Sequence, residues 1–167
     1  MTSLQPATAL MQRLELLLPP PLIALVFALL MWFTAWLFPF LNVQWLNQTY
    51  LGFWIGALCF VIGAIFGLFA IFSFRKQNTT VNPKQPTATK TLVCHGVYAF
   101  SRNPMYLGAV FILLGWAIFL GNLITLLWVW LFKIYITRFQ IMPEERILSE
   151  KFPTEFQQYQ EKVRRWF

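Results

Sequence analysis

Charge is absent from two long apolar runs, Leu22 to Leu41 and Leu51 to Phe74. Each exceeds the roughly 18 residues that mark a membrane-spanning helix, so both are predicted to cross a bilayer. A third apolar stretch, Met105 to Thr137, holds one charge, Lys133. At about 1.5 Å of rise per residue it is too long for one crossing and just long enough for two. The turn-forming pair Gly121-Asn122 stands at its middle. This predicts a tight helical hairpin of two short, thinly embedded helices, Met105 to Leu120 and Leu123 to Thr137. In the second run Gly52, Gly56, Gly63 and Gly67 recur at spacings of 4, 7 and 4. They fall near one helical face, where small residues let a neighbouring helix approach closely.

After Thr137 the pattern changes. Leu148, Phe152, Phe156, Tyr159, Val163 and Trp166 recur every three or four residues among charges, the period of an amphipathic helix. Pro153 interrupts it, and Thr154 with Gln157 forms a capping-box pair, which predicts one helix ending near Phe152 and another starting near Glu155. Their apolar face has two places to go, the membrane surface or the mouth of the bundle. Residues 1–21 form a lead-in that ends in the helix-ending run Pro19-Pro20-Pro21, expected to be an interfacial segment or a disordered tail. The polar string between Gln77 and Thr89 reads as a surface loop. The expected organisation is this lead-in, two transmembrane helices with a loop over 22–89, and a functional module over 90–167. The fold class is all-α: an integral membrane bundle of about four transmembrane helices, the last two a tight hairpin, with C-terminal amphipathic helices.

Composition sharpens this picture. The 167 residues are 58% hydrophobic and 11% charged, against roughly 25% charged in soluble domains. The first run is not expected to be a cleaved export signal, because it is longer than the usual apolar core and ends in Phe38, Pro39 and Phe40. The net charge of +7, with every acid a Glu, raises nucleic acid as a partner, and its placement argues for membrane lipids instead. The loop from Arg75 to Arg102 carries Arg75, Lys76, Lys84, Lys90 and Arg102 with no acid, whereas Asn42 to Tyr50 carries no charge. That asymmetry is the positive-inside pattern. It predicts that the Arg75–Arg102 loop, everything after Thr137 and, for an even number of crossings, the N-terminus face the cytoplasm. Cys59 and Cys94 lie in different environments without metal-ligand spacing, and no metal site is expected.

Candidate chemistry concentrates in Thr91 to Gly108, TLVCHGVYAFSRNPMYLG. Taken alone, Asn103 as N-cap and Pro104 at the first helical position begin a helix, with Arg102 snorkelling to lipid phosphates. Pro143-Glu144-Glu145 reads the same way, as a helix start with acids in its first turn. The order of the pieces says more. Leu92, Val93, Gly96, Val97, Tyr98, Arg102, Pro104, Tyr106 and Gly108 precede the hairpin; Glu144-Glu145 and then Leu148, Phe152 and Tyr159 follow it. In this the chain resembles the integral membrane methyltransferases of the isoprenylcysteine carboxyl methyltransferase and phospholipid methyltransferase superfamily. The resemblance covers Lys90 to Phe167. Val97 leans toward the isoprenylcysteine branch, and Asn103 stands where the family has His, keeping hydrogen bonding but no charge.

The resemblance implies S-adenosylmethionine as methyl donor. It implies His95, Gly96, Val97, Tyr98, Arg102, Asn103, Pro104, Tyr106, Glu144 and Glu145 as cofactor-binding residues, with Glu145 and Arg146 as catalytic candidates. Arg102 suits the donor's carboxylate. Glu144 or Glu145 suits its ammonium or ribose hydroxyls, and the rings of Tyr98 and Tyr106 suit adenine or the sulfonium. In-line displacement at a sulfonium methyl needs alignment and no nucleophilic side chain. A carboxylate acceptor, as in the isoprenylcysteine branch, needs no base; an amine acceptor must lose a proton, to Glu145 or His95. Arg146, Arg164 and Arg165 are candidates to meet an acceptor carboxylate. The acceptor implied is a lipid-like or prenylated small molecule entering from the membrane. Two further readings stand beside this one. A nicotinamide-dependent membrane steroid or enone reductase shares a related helix start but is longer and richer in polar residues. A four-span transporter or scaffold usually carries an acid within a span, and here all six Glu lie outside the predicted spans.

Overall fold

The computed structural model describes residues 15–43, 49–76 and 91–167, without the side chains of 74–76. The loop predicted over 77–89, with Lys84, and the following Lys90 lie outside the described residues. The helices are α1 Pro20–Leu37, α2 Tyr50–Lys76, α3 Pro104–Leu120, α4 Ile124–Ile136, α5 Met142–Lys151 and α6 Pro153–Lys162. A π-helical turn, Thr137–Ile141, joins α4 to α5, and short 3-10 turns occupy Pro39–Leu41 and Gly96–Ala99. Among the described residues the only β-pairing is an isolated bridge between Asn42 and Asn122. The expected all-α membrane bundle is therefore present. Among the described residues three stretches are long and apolar enough to cross a membrane, Pro20–Leu37, Tyr50–Ser73 and Ile124–Lys151. The apolar α3, with 17 residues, measures about 25 Å at the usual helical rise.

Several boundaries differ from expectation for identifiable reasons. The triple proline begins a helix rather than ending one: Pro19 is the N-cap of α1 and Pro20 its first residue. Missing N–H groups cost nothing there, because first-turn amides have no intrahelical acceptor. Pro39 closes the same helix at Leu37 rather than Leu41, because a residue before proline is pushed out of the helical region. The helix expected to stop at Thr137 instead runs on to Lys151. Pro143 is thus interior and not a helix start, and the π turn just ahead of it accommodates the break, with Met142 N–H donating five residues back to Thr137 O. The Thr154–Gln157 capping box does not form, since α6 starts at Pro153 without a side-chain cap.

Glycines set the α2–α3 contact. A Cβ added at Gly63 would meet Gly108 O at 2.6 Å, one at Gly108 would meet Gly63 O at 2.7 Å, and one at Gly115 would meet Gly56 O at 2.8 Å. The two antiparallel helices therefore touch backbone to backbone through paired glycines one heptad apart. In a bilayer, where apolar burial supplies little drive between helices, such close packing is a principal source of association. On the other side α1 packs against α3 and α4 around Met31, Leu113, Phe132 and Ile136. Trp116 Nε1 donates to Ala28 O at 3.1 Å and Trp128 Nε1 to Thr34 Oγ1 at 3.0 Å.

The hairpin turn is held by Gly121, left-handed at φ 61, and by Asn122. The Asn122 amide donates to Phe38 O and Asn42 Oδ1, both at 2.8 Å, while its Oδ1 accepts from Ile124 N–H at 3.1 Å. This ties the α3–α4 turn to the end of α1. The opposite end of the bundle carries the start of α3, the π turn, α5 and α6. There Phe156, Tyr159 and Val163 pack against Ala70, Val93 and Tyr98, so the amphipathic C-terminus folds back over the bundle.

Candidate functional site

Three chain segments converge at that end. The first is the 3-10 turn and the start of α3. Gly96 takes φ 66, a conformation that suits a residue without Cβ, and it turns the chain so that Tyr98 is buried. Tyr159 Oη donates to Tyr98 O at 2.6 Å. Burial, first of all, holds both phenols above their usual range, so they stay protonated donors. Pro104 occupies the first helical position of α3, as expected. Asn103 is the N-cap by position, yet its side chain does not cap; its Nδ2 donates to Arg165 O at 3.0 Å.

The second segment is the C-terminal strap from Val163 onward. Arg102 N–H donates to Arg164 O at 3.1 Å, and Ser101 Oγ to Arg165 O at 3.3 Å. These bonds lay the last residues along 101–103 and bring the Arg165 side chain to the third segment, α5. Glu145 is their meeting point. Its Oε1 lies 3.1 Å from Arg102 and its Oε2 2.6 Å from Arg165. The Arg165 guanidinium is held above its usual range chiefly by that hydrogen bond. Arg102 and Glu145 side chains are each 11% exposed, so the pair sits in a setting of reduced dielectric, where unpaired charge is costly. One helical step away, Tyr106 Oη donates to Glu144 Oε1 at 2.5 Å.

The arrangement is asymmetric in charge. Two guanidiniums share one carboxylate, and Arg102 Nε is buried without a hydrogen-bond partner among the described residues. Beside it stands the second carboxylate, Glu144, with a single donor on one oxygen. A net-positive cradle next to an acid is complementary to a zwitterion of the amino-acid kind: carboxylate toward Arg102, ammonium toward Glu144.

Of the residues singled out from sequence, the structure brings Arg102, Asn103, Tyr106, Glu144 and Glu145 together. Gly96 and Val97 belong to the 3-10 turn that supports them, and His95 is the exposed residue just before it. The rings of Tyr98 and Tyr106 are buried in packing clusters. Arg146 does not join the cluster; it pairs with Glu15. Arg164 is exposed. Ser101, fully buried, and Glu15 were missed. Ser101 lay inside the SRNP run and nothing in the spacing marked it, while Glu15 was a lone acid in a lead-in given no role.

A family model described as phospholipid methyltransferase matches residues 51–155. A Haemophilus influenzae protein described as uncharacterized is 47% identical over 62 residues, which is 37% of this chain and 98% of that protein. No solved structure matches.

Proposed function

The chain belongs to the phospholipid methyltransferase family of integral membrane methyltransferases, and on that premise we propose that it moves a methyl group from S-adenosylmethionine to a lipid-like acceptor at the membrane. The observation that carries the reading is the convergence of Arg102, Arg165 and Glu145 beside Glu144 at one end of an apolar bundle.

The donor's methionyl end fits those residues. Arg102, with its free Nε, and Arg165 would take the carboxylate, and Glu144 the ammonium. When bound, the donor supplies an electrophilic methyl group on a sulfonium. The protein's part is then to hold and to exclude water. The Glu145 carboxylate keeps both guanidiniums oriented, and Tyr106 keeps Glu144 facing inward. The covering helix α6, with Phe156 and Tyr159, shuts solvent out of the base of the site, which strengthens each charge interaction there. Orientation accounts for most of what such a displacement needs.

We take the acceptor to be a carboxylate of isoprenylcysteine type, whose O-methylation requires no base; Val97 supports it. A second reading, N-methylation of a phospholipid amine, is favoured by the family's description, and Glu144 would then be the nearest buried acid to receive a proton. The site is proposed to face the cytoplasm with both termini, on the strength of the basic Arg75–Arg102 loop. Incubating the protein in native lipid with methyl-labelled donor separates the readings. Label in lipid that alkali releases as methanol supports carboxyl methylation, and alkali-stable label supports the amine. No transfer to any lipid fraction overturns both.

A further inference from the structure

Proline in a helix interior leaves one carbonyl without its intrahelical donor, and here the carbonyl four residues before Pro143 is Phe139 O. Leu16 N–H donates to it at 3.0 Å. To do so Leu16 takes φ 56, a left-handed conformation that leucine rarely adopts and that persists only where surrounding contacts impose it. Its neighbours supply those contacts. Glu15 Oε1 pairs with Arg138 at 3.0 Å, inside the π turn, and Glu15 Oε2 with Arg146 at 2.5 Å, beyond Pro143. Gln140, 1% exposed, donates its Nε2 to Leu18 O at 3.0 Å. Every one of these bonds lands on the π turn or on the residue that follows Glu145.

We propose that Glu15–Leu18 is a positioning strap that fixes the break between α4 and α5, and thereby where Glu144 and Glu145 stand relative to Arg102 and Tyr106. One carboxylate spans the discontinuity from both sides, and one backbone amide replaces the donor that Pro143 lacks. A segment that only anchored the chain end to the bundle would have no need to meet the helix at its single break. Glu15 and Arg146 act through Glu145 and are positioning residues. The effect on donor affinity rests on the methyltransferase reading; the effect on the helix break does not.

The test uses the full chain in detergent micelles, as wild type, Glu15→Gln and Glu15→Asp, with Arg138→Gln as a second way to release one side of the bridge. Hydrogen exchange is followed by mass spectrometry and S-adenosylmethionine affinity by calorimetry. Loss of a charge-assisted bond predicts exchange over 137–146 faster by about tenfold in Glu15→Gln and donor affinity weaker by about tenfold. Exchange across the α2–α3 interface stays at the wild-type rate, and Glu15→Asp recovers part of both effects. Unchanged exchange over 137–146 in both Glu15→Gln and Arg138→Gln overturns the proposal, as does uniform loosening of all helices. A wild type that binds no donor removes the methyltransferase reading, and the exchange comparison still decides on the strap.

Discussion

The guanidinium of Arg102 meets the carboxylate of Glu145 at 3.1 Å although the first precedes α3 and the second lies on α5, with the whole α3–α4 hairpin between them in sequence. Arg165 closes the other side of the same carboxylate at 2.6 Å. The site is thus locked by three parts of the chain that share no local sequence relationship.

Glu145→Gln leaves two arginines facing each other, one of them largely buried. Removing one member of such a cluster leaves uncompensated charge, and the expected loss of stability is about 3 kcal/mol. A fall of the thermal midpoint in detergent measures it, and Glu145→Asp falls less.

Tyr106→Phe removes the donor at 2.5 Å from Glu144 Oε1 and keeps the ring. An unpaired buried acceptor costs about 1–3 kcal/mol. Denaturation with the variant and wild type side by side reads the difference, and an unchanged midpoint contradicts the bond.

The α2–α3 contact gives a contrast within one helix. Gly63→Leu forces a side chain into Gly108 O, whereas a Cβ at Gly67 meets nothing within 4 Å. The first substitution is expected to destabilise by about 1–3 kcal/mol through overpacking. Gly67→Ala is expected to be neutral or to stabilise by up to about 1 kcal/mol, because alanine is the better helix former.

Glu15 carries the pH dependence of the strap. Burial pushes its carboxyl up, but the hydrogen bonds and charges of Arg146 and Arg138 outweigh this and hold it below the ordinary value of 4.5. A group with a lowered folded pKa stabilises fully above its unfolded value and loses that contribution as pH falls through the folded one. Wild type is therefore expected to lose stability below about pH 4.5 more steeply than Glu15→Gln. Thermal melts across pH 3 to 6, on the order of the carboxylate range, show whether the two curves converge in acid.

The apolar runs and the Gly121-Asn122 turn made the helices and the hairpin legible, because span length and turn chemistry are local properties. Gly56 and Gly63 were legible as a close-packing face; their partners Gly108 and Gly115 are spaced seven apart in α3 but were not read as the matching surface. Arg102 and Glu145 were legible as a convergence only through the order of the resembling motifs. What the sequence concealed was long-range. The Pro143 reading failed because proline marks a helix start and a tolerated interior break equally well, and the π turn that decides between them is stabilised by residues 15–18. Arg165 and Arg146 look alike in the sequence. Backbone bonds to Arg164 O and Arg165 O direct the first to Glu145, and the strap takes the second.

The central claim is that the Arg102–Glu145 cluster receives the methyl donor. Calorimetric titration of S-adenosylmethionine into purified wild type, Arg102→Ala and Tyr106→Phe tests it most directly. The account predicts saturable binding to wild type, weakened at least about tenfold by loss of the Arg102 charge and less by Tyr106→Phe. Wild-type binding that Arg102→Ala leaves unchanged contradicts it.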